Sequence, residues 1–269
     1  MPSRDEPTAD LVDRQSMDGD ILVALNPSPL DHDNATYLLR VAAQSAKRLR
    51  ILVIEDERLH QLATLPFTNE VDWIGASQKR LNTVDVGRML RAQTERVRSI
   101  IVKLASEFDV SYSVNVVRGK FLDKALSERR ERIVVLGARR QWHAIRRANY
   151  STGFGRAVSI FDGSDASVRA CRAADRFAPA ASPVTILLPA ENSADCQALQ
   201  HRLASVVPDI DDARWEVICV APDELEAAVR ELGRDPDRFL VLPRAGILDY
   251  ETTEPEFARN IRGNLALVT

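Results

Sequence analysis

Short apolar runs alternate along the chain with longer amphipathic runs, and this plan appears twice. In the first copy the apolar run 21–25 is followed by a polar turn and by helical periodicity over 34–49. In the second copy the run 157–161 is followed by a polar turn and by helical periodicity over 165–178. A further apolar run follows each helix, over 51–54 and over 184–188. Each half therefore opens as a βαβ unit.

The remaining pattern predicts more strands alternating with helices. The longest helix covers 84–108, because apolar residues recur on one face at three-, four- and seven-residue spacings. Further strands are predicted over 111–117, 133–136, 215–220, 239–242 and 264–268, and further helices over 121–130, 195–207, 224–232 and 254–262. Such alternation is typical of a parallel sheet covered on both faces with right-handed crossovers. The predicted fold is α/β, with two tandem doubly wound parallel-sheet (Rossmann-like) domains.

The two copies set the predicted domain boundaries. Residues 1–19 are predicted to be a disordered acidic tail, residues 20–152 the first domain and residues 153–269 the second, and these two domains are called the first and second halves below. The first half has no apolar run that would supply a fifth strand of its own. The segment 55–80 is predicted to be a long loop whose apolar residues pack against the protein.

Composition narrows the class of protein without naming its activity. No apolar run approaches the roughly 20 residues that cross a bilayer, and the net charge of −3 is mild. These values argue against membrane insertion and against nucleic-acid binding. The three cysteines stand far apart, without a Cys-x-x-Cys pair, which predicts separate buried thiols in a cytoplasmic protein: they are Cys171, Cys196 and Cys219.

The mild net charge hides a strongly basic segment. Residues 118–156 contain eleven basic and three acidic residues, so this segment carries +8 and the rest of the chain −11. Its most basic part, around Arg139, Arg140, Arg146 and Arg147, follows a predicted strand at the sheet edge where α/β proteins bind ligands. Either these guanidinium groups bind an anionic ligand, or they form a solvated helix face that pairs with acidic groups elsewhere. We favour the second interpretation.

Catalytic patterns are weak in this sequence. The four histidines form neither a His-x-x-x-His nor a His-Glu-x-x-His pattern. Ser28 and Ser164 lie at strand-to-helix turns, but neither stands in the Gly-x-Ser-x-Gly sequence of a nucleophile elbow. Both are interpreted as helix-entry residues, and the protein is predicted not to be an enzyme.

Two segments resemble the universal stress protein family. One is Phe161-Asp162-Gly163-Ser164-Asp165-Ala166-Ser167, closing a first strand, and the other is Val-Val-Leu-Gly-Ala-Arg over 134–139, closing a fourth. The element order agrees over nearly all of residues 20–269, which resembles a tandem form of that family. The resemblance implies a nucleotide beside the acid that closes the first strand. It also implies a loop of the form G-x2-G-x9-G-[ST] around the phosphates of ATP, and a homodimer formed through the last strand, over 264–268.

Neither half keeps the complete phosphate loop. Gly137 and Ser151 match the first half's motif, but Arg140 and Tyr150 replace two glycines; in the second half Gly246 matches, but three other positions do not. Backbone N–H groups reach phosphate oxygens closely only where side chains leave room. The prediction is a stress-response or regulatory protein that acts through an unknown protein partner and has no cofactor, ATP or another nucleotide being disfavoured. The alternative is a sensor of a nucleotide or other phosphorylated metabolite. The candidate ligand-binding residues are Asn26, Ser28, Gly137, Arg139, Arg140, Ser151, Asp162, Ser164 and Gly246, and no metal site is predicted.

Overall fold

A computed structural model describes residues 20–26, 32–71, 78–127, 133–137, 156–179, 182–208, 214–235, 238–244, 261 and 263–269 of the chain. The strands are β1 (Asp20–Leu25), β2 (Arg48–Asp56), β3 (Asn69–Val71), β4 (Gln78–Arg80), β5 (Ser111–Gly119), β6 (Ile133–Leu136), β7 (Arg156–Ile160), β8 (Val184–Pro189), β9 (Trp215–Val220), β10 (Arg238–Pro243) and β11 (Asn264–Val268). The helices are α1 (His32–Ser45), α2 (Glu57–Thr64), α3 (Thr83–Phe108), α4 (Phe121–Ser127), α5 (Asp165–Phe177), α6 (Ser193–Val206) and α7 (Leu225–Leu232).

One main sheet runs through both halves of the protein. Its nine described strands follow the order β5-β2-β1-β6-β11-β10-β7-β8-β9. Within each half, all strand pairs of this main sheet are parallel. The strand order third–second–first–fourth, counted along the chain within the main sheet, is the same in the two halves. The predicted α/β class with a parallel, doubly wound sheet in each half is confirmed.

The two halves meet at an antiparallel strand pair. β11 of the second half pairs with β6 of the first, with Leu265 opposite Leu136 and Val268 opposite Ile133. The other edge of β11 pairs with β10. The second half thus supplies the strand that the first half lacks. Because both edges of β11 are occupied, this strand has no free edge for a second copy, and the dimer through 264–268 that the resemblance implies would need another surface.

Both faces of the sheet are covered across this junction. On one face a continuous apolar core joins α1 and α3 of the first half to α5 and α6 of the second, and on the other face a second core joins α4 to α7. In the described part of the chain, side-chain hydrogen bonds also cross between the halves. The Tyr37 hydroxyl donates to the Phe177 carbonyl oxygen at 3.1 Å, and the Arg244 guanidinium donates to the Leu126 carbonyl oxygen at 2.8 Å.

The half-buried phenol of Tyr37 at this junction predicts a pH dependence of stability. Burial raises the pKa of Tyr37 from 10.0 to about 12, so the folded state favours the neutral phenol. This contribution is complete below pH 10 and is lost as the pH rises through 12. We expect the melting temperature of the wild type to fall more steeply than that of Tyr37→Phe between pH 9.5 and 11.5, measured by circular dichroism. Parallel curves for the two proteins would contradict this expectation.

The segment 55–80 contains regular secondary structure where a long loop was predicted. Its residues extend β2 to Asp56, form α2 and contribute the antiparallel ribbon of β3 and β4. The Asp56 side chain caps α2 by accepting the Arg58 N–H at 2.9 Å. Ala63 of α2 packs with Val86 and Leu90 of α3 in a small separate core. The packing of apolar residues was predicted, but the helix was missed because eight residues give little periodicity. The tail over 1–19 and nearly all of the helix predicted over 254–262 lie outside the described residues.

The cysteine prediction was wrong for two of the three residues. A disulfide joins Cys196 of α6 to Cys219 of β9, with 6.1 Å between their Cα atoms. The two residues are 23 positions apart in sequence, and the βα crossover brings them together. Cys171 is free and buried. The predicted cytoplasmic location rested partly on three separate thiols, and a disulfide removes that support. Among the described helices, none has the length and apolar character needed to cross a bilayer.

Candidate ligand site at the strand ends

The candidate residues fall at two opposite edges of the sheet. Asn26 and Gly137 follow the neighbouring strands β1 and β6, while Asp162 and Ser164 follow β7. Because β6 and β11 are antiparallel, the carboxyl ends of the strands point one way in the first half and the other way in the second. The structure therefore separates the two sets. The remaining candidates lie outside the described residues: Ser28, Arg139, Arg140, Ser151 and Gly246.

A hydrogen-bonded turn after β7 uses both polar side chains of the second-half set. One oxygen of Asp162 accepts the Ser164 N–H at 2.8 Å. Ser164 caps α5, because its Oγ accepts the Ser167 N–H at 3.1 Å. The Ser167 hydroxyl in turn donates to the Ser164 carbonyl oxygen at 2.8 Å. These bonds satisfy backbone groups at the helix start, so the helix-entry interpretation of Ser164 is supported by its contacts.

A guanidinium group covers the glycine of this turn. Gly163 has φ +85, a conformation that favours glycine. A β-carbon added there would lie 3.0 Å from Nη1 of Arg202, which reaches over from α6. Arg202 could not be predicted from the sequence, because α6 follows a different strand and no local pattern links its tenth residue to the turn. The turn is thus packed beneath a cationic side chain.

Below the turn lies the free cysteine. Burial raises the pKa of the Cys171 thiol to about 12, the hydrogen bond with Ser159 lowers it, and the nearby Asp162 carboxylate raises it further. The Ser159 hydroxyl donates to the Val241 carbonyl oxygen at 2.8 Å. A thiol that stays protonated is a poor nucleophile, so Cys171 acts here as a packing residue.

The end of β10 is tied to both halves. Pro243 closes the strand where the resemblance places the first glycine of the phosphate loop. The next residue, Arg244, donates its backbone N–H to the Val268 carbonyl oxygen at 2.7 Å and its guanidinium to Leu126 of the first half. The first residues of this loop are therefore fixed by structural hydrogen bonds.

The described candidate residues of the first half are Asn26 and Gly137. Asn26 is exposed and Gly137 is half-buried, and the Gly137 N–H donates to the Ala24 carbonyl oxygen at 3.3 Å. A β-carbon on Gly137 would lie 3.5 Å from Cδ1 of Leu38 and 3.6 Å from Cδ2 of Leu25, which are ordinary contact distances. Neither space nor backbone conformation therefore requires glycine at position 137.

A polar cluster that the sequence did not predict lies near the ends of β2 and β5. Only 14% of the Glu55 side chain is exposed, although it carries a carboxylate. Its Oε2 lies 3.5 Å from Nη2 of Arg118 and 3.7 Å from Nε2 of His60. The register of the parallel pair, which places Glu55 beside Arg118, explains the contact. No group of three or more His, Cys, Asp or Glu residues in the described part of the chain could hold a metal ion.

Comparisons with known proteins add only distant structural likenesses. No family model matches this sequence, and no curated protein matches it. A universal stress protein from Archaeoglobus fulgidus DSM 4304 superposes with a TM-score of 0.49 and 10% identity, covering 94% of this chain and 96% of that one. The cytoplasmic domain of a prokaryotic cation chloride cotransporter superposes with a TM-score of 0.40 and 7% identity, covering 93% and 94%. Likenesses at this level assign no function to the chain.

Proposed function

We propose that this is a non-enzymatic regulatory protein of universal-stress-like type, which acts in a stress response through contacts with a protein partner and does not use ATP as a cofactor. The family type comes from the motifs after β7 and β6 and from the repeated order of elements. A cytoplasmic location and self-association belong to the same proposal.

The observation that carries this proposal is how the strand-end side chains are used. Asp162 and Ser164 bond to the backbone of their own turn, Arg202 covers the glycine between them, and Arg244 ties the loop after β10 to the other half. A nucleotide would have to replace these contacts. The bulkier residues at the glycine positions of both phosphate loops point the same way.

A second candidate function rests on charge. The +8 of residues 118–156 favours a sensor that binds a phosphorylated metabolite through Arg139 and Arg140. Under this alternative, replacing both arginines by alanine weakens anion binding and leaves the melting temperature nearly unchanged, since exposed substitutions cost within about 0.5 kcal/mol. If the arginines instead pair with acidic groups of the protein, the same variant loses stability, and anion binding does not change.

Titration with Mg-ATP in a calorimeter tests the main proposal. We expect a dissociation constant weaker than about 100 μM, equivalent to less than about 5.5 kcal/mol of binding free energy. The Asp162→Ala variant should lose about 1–2 kcal/mol of stability, because the turn loses a charge-assisted acceptor. Exposed Glu191, after the neighbouring strand, gives the control Glu191→Ala, for which we expect almost no loss. Low-micromolar ATP binding would overturn the proposal, and its loss in Asp162→Ala would assign that binding to the turn after β7.

A further inference from the structure

β5 presents an unusually open edge of the main sheet. It stands at one end of the strand order and pairs with β2 without interruption, from Ser111 beside Arg48 to Gly119 beside Asp56. Among the described residues, no strand pairs with its other edge. A row of backbone N–H and C=O groups on such an edge is a template for another strand.

The devices that normally protect an edge are absent from most of this strand. Residues 111–117 read Ser-Tyr-Ser-Val-Asn-Val-Val and contain no charge, no lysine and no proline. The continuous register with β2 leaves no bulge. The first charged residue is Arg118. The opposite edge strand, β9, is shorter and carries Glu216 in its second position.

The exposed side chains of β5 complement a second copy of themselves. Tyr112 and Val116 are 43% and 40% exposed, and they lie on one face of the strand because their positions differ by four. Val114 lies between them on that face and packs against the core beneath α1 and α3. In an antiparallel pair centred on Val114, Tyr112 of each copy stands opposite Val116 of the other.

We propose that two copies of this chain pair through β5, antiparallel about a two-fold axis at Val114, so that the two nine-stranded sheets become continuous. The arrangement makes two aromatic–β-branched cross-strand pairs, a favourable combination in sheets. Ser111 then faces Val117 and Ser113 faces Asn115, so no like charges oppose each other. A two-fold interface of this kind uses the same patch on both subunits and closes the assembly at a dimer.

Sedimentation across a concentration series tests the pairing in the full-length protein. The expected mass is twice the 30.0 kDa of the chain. A lysine on an edge strand opposes pairing, so Val116→Lys should weaken the dimer at least tenfold, and Tyr112→Glu should weaken it as well. The matched control is Ile218→Lys, because Ile218 is 39% exposed on β9; this variant should dimerise like the wild type.

A double variant tests the register. In Tyr112→Glu/Val116→Lys, each introduced carboxylate stands opposite an introduced ammonium group, so dimerisation should recover relative to either single variant. Melting temperatures confirm that all variants fold, and hydrogen exchange should show protection of amides 111–117 that increases with concentration. A monomer at every concentration, a dimer unaffected by Val116→Lys, or two single losses without recovery would overturn the proposal. A monomer at every concentration would also remove self-association from the regulatory proposal, on which this dimer rests. None of these results would change the ATP titration, so the rest of that proposal is judged separately.

Discussion

Replacing Phe177 by alanine is expected to lower the free energy of unfolding by about 3–5 kcal/mol. Phe177 ends α5 with 1% of its surface exposed. Its ring stacks on Phe239 of β10, with 5.2 Å between the ring centroids and 8° between the planes. Phe177 also lies at the junction of the halves, because its carbonyl oxygen accepts a hydrogen bond from the Tyr37 hydroxyl. Removing the ring leaves a cavity that the neighbouring side chains fill only partly. Urea denaturation followed by circular dichroism measures the loss.

The chain offers a matched control for this substitution. Phe67, after α2, is 91% exposed, so Phe67→Ala should change stability by no more than about 0.5 kcal/mol. The two variants lose the same atoms and differ in burial. Equal losses in both would contradict the packing described for the junction.

The α/β fold was predictable because its strands are buried on both faces. Every residue of β8 is buried, as is every residue of β11, and strands covered on both faces read as continuous apolar runs that sequence reveals directly. Helices with one apolar face, such as α3, are equally visible. What the pattern specifies is the element and its neighbours along the chain.

Contacts between distant segments could not be predicted in this way. No local signal shows that β11 pairs with β6 as well as with β10, or that Cys196 meets Cys219. Both contacts depend on how the strands are arranged in the sheet. The helix α2 was missed for a different reason, since eight residues give too few helical repeats.

In the candidate site, too, local structure was predictable from the sequence and long-range contacts were not. The turn Asp162-Gly163-Ser164 was readable, because an Asx turn and a helix cap are local chemistry. Its environment was not, since Arg202 arrives from α6 and the antiparallel junction sends the two sets of strand ends to opposite edges. A single ligand contacting Asn26 and Asp162 together is incompatible with this topology. Either set must act alone.

Gly263→Ala is expected to be the most damaging small substitution at the start of the shared strand. Gly263 is buried immediately before β11. A β-carbon there would lie 3.0 Å from the Asp235 carbonyl oxygen and closer still to that of Arg238. Both atoms belong to the backbone, so a rotamer change cannot relieve the overlap. The start of β11 must move away from β10, and we expect a loss of about 2–3 kcal/mol or more in urea denaturation.

Gly137→Ala is the control, because it adds the same atom at the end of β6, the strand on the other side of β11. There the β-carbon would meet side-chain atoms at ordinary contact distances, so we expect a change within about 0.5 kcal/mol, with a gain possible because alanine restricts the unfolded chain. The comparison also tests a candidate site residue. If Gly137 were needed to bring its backbone close to phosphate oxygens, Gly137→Ala would weaken ligand binding at unchanged stability. If both glycines tolerated alanine equally, the tight approach of the β10 backbone to Gly263 would be refuted.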